Sequence, residues 1–441
     1  MDSAVPRAWR DERENVRIPV ARPRLPEAAR LVPYLERIDA GRRYTNGGPL
    51  VCELESRLAR HFDVADQCVA LVANATSGLA LALKALGVAR GVLCMIPAWT
   101  FPATAHAALG AGMIPWFVDV DARTWSLSPS LARAFLHEAP GEVGAIVPVA
   151  PFGHPVDVRG WEELASTLRV PVVIDGAAAF DSTRASSLAT VVSLHATKLL
   201  GAGEGGFVLC RDAAPVRRIK AMANFGFAGS REARISATNA KFSEYAAAVA
   251  LAGMDRLEST RGDFLRVARG YAEALDGIAG VALQHGYGKS WISTTTNVSL
   301  PEGRLEALED ALDACGFGHR RWWGDGLTAH RAFSDCPRMP TPVTQSLSGT
   351  VLGLPCWPDL RRDVVARVGA IVREICGRNE SLLQLEERTV AFGDLAQRPA
   401  AHDGEGLDRP LYETQRADQR AEADLHAGQH DRTRPDSNML S

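Results

Sequence analysis

The segment VPVVIDGAAAFDSTRASSLATVVSLHATKLLGAGEGGFVLC, residues 170–210, decides the fold. It contains three short apolar runs, at 170–174, 191–194 and 206–210, which are typical of strands buried on both faces. The first run leads into Asp175, and the second is followed by Lys198 and a glycine-rich turn. Open α/β sheets bind ligands just outside the carboxyl ends of their strands. The segment therefore predicts such a sheet, with reactive side chains at one edge.

The same alternation continues toward the N-terminus. Further strands are predicted at 67–72, 92–96, 114–118 and 145–149, with helices at 76–86, from Ala103 onward and at 157–168. This β-α-β order favours an α/β fold with a large, doubly wound and mostly parallel sheet.

The pattern changes beyond about residue 260, after a long helix predicted at 243–257. A smaller α+β domain is indicated by helices at 264–275, 305–315 and 364–375 and by strands near 281–283 and 296–300. We divide the chain into an N-terminal extension (1–18), a large domain (19–260), a small C-terminal domain (261–385) and a polar tail (386–441). The tail has few large apolar residues, a composition that predicts disorder.

Composition excludes several classes of protein. The chain has 441 residues, 46% of them hydrophobic and 23% charged, which is ordinary for a globular protein with a sizeable core. A formal net charge of −3 argues against nucleic-acid binding. The charged N-terminus and the lack of a long apolar run predict no signal peptide, no membrane span and a cytoplasmic location. The eight cysteines form no C-x-x-C pair, and we interpret them as reduced thiols.

One candidate site is the turn NATSG, residues 74–78, between a strand and a helix. Its small residues leave the backbone N–H groups of the helix N-terminus open to a phosphate. An ordinary Asn or Thr cap is the alternative for this turn taken alone.

Three side chains follow other strands. Asp175 could keep a pyridinium nitrogen protonated, Lys198 could form a Schiff base through a partly desolvated amine, and an aromatic of Trp99-Thr100-Phe101 could stack on a planar ring. Taken singly, each has a plainer interpretation: a cap or turn residue, a surface lysine and a core aromatic. In this order along the chain, the features together describe a site for pyridoxal 5′-phosphate (PLP).

The sequence resembles the DegT/DnrJ/EryC1/StrS family of PLP-dependent sugar aminotransferases, which have the aspartate-aminotransferase (type I) fold. The resemblance runs from about residue 19 to about residue 376. It is carried by YTNGGP (44–49) with ELE (53–55), IPAWTFPATA (96–105), FVDVD (117–121), SLHATK (193–198) with GEGG (203–206), NAKFSEYAA (239–247) and LP (354–355).

The resemblance implies a role for each matching residue. Lys198 and Asp175 would be the catalytic residues: Lys198 would hold the cofactor and shuttle protons, and Asp175 would pair with the pyridine nitrogen. The other cofactor-binding residues would be Phe101 on the ring and, around the phosphate, Ala75, Thr76, Ser193 and Asn239. Asn239 would act on the neighbouring subunit's cofactor, which implies a homodimer with shared active sites.

The implied reaction moves an amino group from an amino acid, expected to be glutamate, to a keto-sugar that is linked to a nucleotide. The family's sugar dehydratases have histidine in place of the lysine, so Lys198 favours transamination. Ala178 departs from the family pattern, since a Gln or His is usual there, and Asn74-Ala75 and Phe225 depart from the usual Ser-Gly and His. A PLP enzyme that performs elimination or oxidation and a catalytically silent PLP-binding partner stay open as alternatives.

Other motifs have plainer interpretations. GAGEGG (201–206) matches a dinucleotide-binding pattern, but it joins two strands and opens no helix. His426 and His430 have metal-ligand spacing in a polar tail without a third ligand, so no metal site is predicted. Arg320 and Arg321, beside Trp322 and Trp323, could bind an anionic substrate or could simply cover a core tryptophan. His330 would lie near the substrate by resemblance.

Overall fold

The structure is a computed structural model that describes residues 17–377. The helices and strands, in chain order, are α1 (Ala28–Gly41), α2 (Pro49–His61), β1 (Val69–Val72), α3 (Ala75–Ala85), β2 (Leu93–Pro97), α4 (Pro102–Ala111), β3 (Ile114–Val118), α5 (Pro129–Leu136), β4 (Val143–Ile146), α6 (Val158–Leu168), β5 (Val173–Asp175), β6 (Ala189–Ser193), β7 (Gly206–Leu209), α7 (Ala213–Ala223), α8 (Glu244–Met254), α9 (Leu257–Leu275), β8 (Ala282–Leu283), β9 (Thr296–Ser299), α10 (Leu305–Ala314), α11 (Pro342–Ser348), β10 (Val351–Leu354) and α12 (Arg362–Gly377).

The first seven strands form the large sheet. Hydrogen-bonded ladders give the orders β1-β7-β6-β5 and β3-β2-β4, and single bridges from Ile146 to Val172 and from Val149 to Asp175 join the two sets. The pairs β2–β3, β2–β4 and β5–β6 are parallel, whereas β7 runs antiparallel to β1 and β6. The prediction of a mostly parallel sheet is confirmed.

Helices cover both faces of this sheet. Successive side chains of a strand point to opposite faces, so one strand contributes to two buried clusters. In β1, Val69 and Leu71 pack in one buried cluster with residues of α2 and α8, while Ala70 and Val72 pack in another with residues of α3, α4 and α7. The doubly wound arrangement expected from the apolar runs is therefore present.

The C-terminal part of the described chain has a sheet and a core of its own. Strands β10, β9 and β8 pair antiparallel in that order, and their buried residues pack with α9, α10 and α12. The chain also returns to the large sheet, since Leu327 and Phe333 are buried in the cluster that contains α3 and α4. The division at residue 260 stays a prediction, and the predicted N-terminal extension and polar tail lie almost wholly outside the described residues.

Several predicted boundaries differ from the structure. Helix α9 begins at Leu257 and not near residue 264, because its first turns carry polar side chains and an exposed Gly262 that hide the apolar pattern. Strand β4 ends at Ile146, and the chain beyond it continues beside its neighbours through the Val147 N–H to the Met95 carbonyl and the single bridge of Val149 with Asp175. Helices α1, α2, α5, α7 and α11 were not predicted. None of the helices in residues 17–377 is both long and apolar enough to cross a membrane.

Candidate functional site

The predicted site residues of the large sheet gather at one edge. Asp175 and Ser193 are the last residues of β5 and β6, and α3 begins three residues after β1 ends. Gly206 lies between two of these strands, paired with Val72 on one side and Ser193 on the other. This edge is where an open α/β sheet binds ligands.

The turn before α3 has the properties of an anion site. The Asn74 side chain caps the helix by accepting a hydrogen bond from the Ser77 N–H at 2.8 Å. The N–H groups of Ala75 and Thr76 fall in the first helical turn, which has no intrahelical acceptors. The sequence offered two interpretations of this turn, an ordinary helix cap and a set of open N–H groups. Both features are present in the structure.

Gly206 and Ser193 complete this turn. A Cβ at Gly206 would lie 2.8 Å from the Ala75 nitrogen, so only glycine lets β7 pass this close beneath the helix start. The Ser193 hydroxyl accepts a hydrogen bond from the His195 N–H at 3.1 Å, which leaves its own proton free to donate. We call Ala75, Thr76, Ser193 and Gly206 the phosphate cup.

Asp175 is a buried carboxylate, 5% exposed. Its Oδ2 accepts a hydrogen bond from the Thr104 hydroxyl at 2.7 Å, and its Oδ1 accepts one from the Ala177 N–H at 3.1 Å. Burial raises the pKa of Asp175, while these two hydrogen bonds and the charge of Lys198 oppose the rise. A ligand with a protonated nitrogen would restore the solvation that this carboxylate has lost.

Lys198 lies in the loop between β6 and β7. Three hydrogen bonds hold this loop closed, from the N–H groups of Leu194, Ala196 and Ala202 to the carbonyls of Gly205, Gly203 and Leu194. Burial lowers the pKa of the Lys198 amine, and the charge of Asp175 offsets part of the effect. A lysine whose charged form is disfavoured in this way is suited to attack a carbonyl carbon.

Phe101 and Asn239 have exposed side chains. Phe101 is the N-cap residue of α4 and is 58% exposed, whereas nearby Trp99 is only 2% exposed. Asn239 accepts a hydrogen bond from the Lys241 amine at 2.6 Å, and the adjacent Ala240 carbonyl accepts one from the Ala73 N–H at 2.8 Å. The segment of Asn239 thus lies beside the strand–helix turn, with its amide facing outward.

The other sequence motifs are settled by their neighbours. Arg321 makes two hydrogen bonds to Glu309 and one of 3.1 Å to Glu306. Its guanidinium group is therefore already paired with carboxylates and does not form a free anion site. Arg320 lies over the Trp322 ring. The run 201–206 connects two antiparallel strands, which excludes the strand–helix geometry of a dinucleotide site. His330 is exposed, and His426 and His430 lie outside the described residues.

Sequence reasoning missed Thr100 and Thr104. Both are 1% exposed, and their hydroxyl oxygens lie 3.0 Å apart behind Asp175. The sequence signal for them is a spacing of four residues across the start of α4, a helix rich in alanine. Buried hydroxyls require partners, and a carboxylate on the neighbouring strand supplies one.

These groups fit PLP. The phosphate cup offers N–H and hydroxyl donors, Asp175 is a desolvated carboxylate for a ring nitrogen, and Lys198 is an amine with a lowered pKa for an aldehyde. The close approach that Gly206 allows indicates a cradle shaped for an anion at the helix start.

Comparisons with known proteins agree with this fit. The sequence model of the DegT/DnrJ/EryC1/StrS aminotransferase family matches residues 27–373. Protein Rv3402c of Mycobacterium tuberculosis is 30% identical over 390 residues, which covers 82% of this chain and 91% of that protein. The dTDP-4-amino-4,6-dideoxy-D-glucose transaminase of Shigella dysenteriae is 28% identical over 368 residues, or 81% of this chain and 98% of the transaminase.

Among solved structures, the crystal structure of DesI in the presence of its TDP-sugar product superposes with a TM-score of 0.76. Its sequence is 30% identical, and the match covers 85% of this chain and 96% of DesI. The similarity therefore extends over nearly the whole length of both chains and is not confined to the site.

Proposed function

The chain belongs to the DegT/DnrJ/EryC1/StrS aminotransferase family, and from this premise we propose that it aminates the keto group of a nucleotide-linked sugar. It has the type I aminotransferase fold, uses PLP and is a transaminase. The observation that carries the proposal is the meeting, at one sheet edge, of the phosphate cup, the buried Asp175 and Lys198 with its lowered pKa.

The substrate class is supported by the relatives. One is named for the transamination of a dTDP-linked amino sugar, another is UDP-N-acetyl-3-dehydro-alpha-D-glucosamine 3-aminotransferase, and DesI was solved with its TDP-sugar product. We propose an amino acid as the donor, with glutamate the first to test. We also propose a homodimer in which Asn239 reaches the partner's cofactor, and a cytoplasmic location.

Each group of the site has a task in such a reaction. PLP, when bound, supplies an electron sink that lets a proton leave the carbon next to the substrate nitrogen. The N–H groups of Ala75 and Thr76 and the Ser193 hydroxyl would hold the phosphate. Asp175 would keep the proton on the ring nitrogen, which maintains the electron demand of the ring, and Phe101 would stack on the ring.

Lys198 would act both as anchor and as acid–base group. Its Nζ would take the proton from the substrate carbon that bears the nitrogen and deliver it to the cofactor carbon on the other side of that nitrogen, which would transfer the amino group to the cofactor. Its lowered pKa favours the neutral amine, which is the form that can accept this proton.

Absorbance of the purified protein tests the assignment. We expect a visible band from lysine-bound PLP in the wild-type protein, and the band should be absent in Lys198→Ala. Lys289→Ala is the matched control, because Lys289 is exposed and outside the site. Glutamate should then yield 2-oxoglutarate in proportion to the aminated keto-sugar. A band that survives Lys198→Ala would contradict the assignment.

A further inference from the structure

We propose that Thr104 is a positioning residue that orients the Asp175 carboxylate and keeps it ionised toward the cofactor's ring nitrogen, with Thr100 supporting Thr104 from behind. The proposal rests on the proposed function, since it concerns how the site uses PLP. It adds two side chains, Thr104 and Thr100, that lie behind the catalytic carboxylate and do not themselves touch the substrate.

The contacts form a continuous line. The Thr104 hydroxyl lies 2.7 Å from Asp175 Oδ2, and the Thr100 hydroxyl lies 3.0 Å from that of Thr104. Thr104 is in the first turn of α4, and Thr100 is in the turn that connects β2 to α4. The helix thus brings a hydroxyl to the end of β5, although the two segments are 71 residues apart in sequence.

The direction of each hydrogen bond follows from counting protons. A threonine hydroxyl has one proton, and in the ionised state of Asp175 that proton of Thr104 must point at the carboxylate. Thr100 can therefore only donate to Thr104. Chains of this kind polarise their members, so Thr100 makes Thr104 a better donor.

Burial strengthens the effect of this hydrogen-bond chain on the Asp175 carboxylate. Thr100 and Thr104 are 1% exposed and Asp175 is 5% exposed, so water does not compete for the carboxylate. The Thr104 hydroxyl and the Ala177 N–H are the hydrogen-bond donors that reach the carboxylate oxygens of Asp175 among the described residues. Thr104 is the foremost of the influences that counter the burial-driven rise in the pKa of Asp175.

Loss of the hydroxyl should change the charge on the cofactor ring. Without the Thr104 donor the carboxylate becomes more basic, and the ring proton moves toward Asp175. A ring with less positive charge repels the proton on the lysine-bound nitrogen less strongly. The pKa read from the absorbance of lysine-bound PLP should therefore rise.

The experiment compares absorbance titrations of PLP-loaded variants. Thr104→Val keeps the shape and removes the hydroxyl, and we expect it to raise the absorbance pKa by about one unit, the scale of one hydrogen bond to a charged group. Thr104→Ser restores the hydroxyl and should return the pKa to the wild-type value. Glutamate-dependent formation of the amino form should slow in Thr104→Val and recover in Thr104→Ser.

A matched control separates this effect from a general loss of packing. Thr344 is also fully buried, and its hydroxyl bonds the buried Asp119 at 2.8 Å, at the start of α11. Thr344→Val should lower the free energy of unfolding and leave the absorbance pKa unchanged.

The second arm asks whether Thr104 acts through Asp175. In an Asp175→Asn background the carboxylate is gone, so Thr104→Val should add no further shift. A Thr104→Val shift of equal size in both backgrounds, or an unchanged pKa in Thr104→Val alone, would overturn the proposal. Failure of the proposed function is distinguishable, because it would appear in the wild-type protein as the absence of 2-oxoglutarate and of aminated keto-sugar, whereas the role of Thr104 is read from the pKa of the absorbance band.

Discussion

Two aromatic residues separated by one position have opposite environments. Phe101 is 58% exposed at the cap of α4, while Trp99 is 2% exposed and packs edge-on against Trp323 at 5.4 Å. The exposed ring of Phe101 is available to stack on a planar cofactor ring, whereas the ring of Trp99 is not. The pair therefore offers a direct contrast between a ligand contact and a core contact.

We expect Phe101→Ala to weaken PLP binding about tenfold, from the ~0.5–1.5 kcal/mol that ring stacking contributes. Its free energy of unfolding without cofactor should change by less than about 0.5 kcal/mol, because little buried surface is lost. Trp99→Ala should instead cost about 3–5 kcal/mol of stability. Cofactor titration and urea unfolding measure the two quantities. Equal PLP affinity of Phe101→Ala and the wild-type protein would show that the ring does not stack on the cofactor.

Among single residues, the sequence predicted the chemically distinctive side chains and missed the side chains that contact them. Lys198 and Asp175 follow apolar runs, and such placement is visible without a structure. Thr104 is one of several small residues in a helix, and nothing in its neighbours along the chain indicates which strand end it faces. Arg321 shows the converse, since its pairing with Glu306 and Glu309 depends on a contact that sequence does not reveal.

The element that shapes the phosphate cup is the start of β7 against the start of α3. Gly206 pairs with both Val72 and Ser193 and has the Ala75 backbone directly above it. Gly78, one turn further along α3, faces the side chains of Val191 and Val72 in the same way. These close contacts place α3 directly on the sheet, with the N–H groups of its first turn at the sheet edge.

We expect Gly206→Ala to push the start of α3 outward, because its Cβ would lie 2.8 Å from the Ala75 nitrogen. PLP affinity should fall about ten- to a hundredfold, the equivalent of one weakened charged hydrogen bond. The matched control is Gly262→Ala, at an exposed position in α9 with no atom within 4 Å of the new Cβ. That change should stabilise the chain by up to ~1 kcal/mol and leave PLP affinity alone. An unchanged PLP affinity in Gly206→Ala would contradict the assignment of the phosphate cup.

Elements with a clear apolar pattern were predicted well, whereas helices α1, α2, α5, α7 and α11 were missed. The strands of the large sheet are short apolar runs between turns, which makes them visible in the sequence. Helices α1 and α2 mix charged and apolar residues, and Pro33 lies inside α1. Their place in the fold depends on packing against α8, and such packing leaves no local signature.

The predicted active unit is larger than one chain. The Asn239 side chain is exposed and bonds Lys241, and Tyr44 and Tyr245 stack on the surface with about half their area exposed. These features suit a surface that a second copy covers, and the trans role of Asn239 can be tested by mixing subunits.

We expect Lys198→Ala and Asn239→Ala to be inactive or weakly active alone and to complement each other when mixed. In a hybrid dimer, one site would carry both defects and the other would carry none. Random exchange of equal amounts should restore about a quarter of the wild-type sites for a two-fold dimer. The activity of the exchanged mixture, compared with unmixed samples, measures this. No recovery after verified subunit exchange would mean that Asn239 serves the site of its own chain.

The pairing of Val72 with Gly206 has a consequence for the order in which the site is made. The two residues are 134 positions apart (206 minus 72), so the ribosome completes the helix start long before it makes the strand beneath it. Contacts so distant along the chain form late during folding. The phosphate cup therefore cannot be complete until synthesis has passed Leu209, so cofactor binding cannot initiate the folding of this edge.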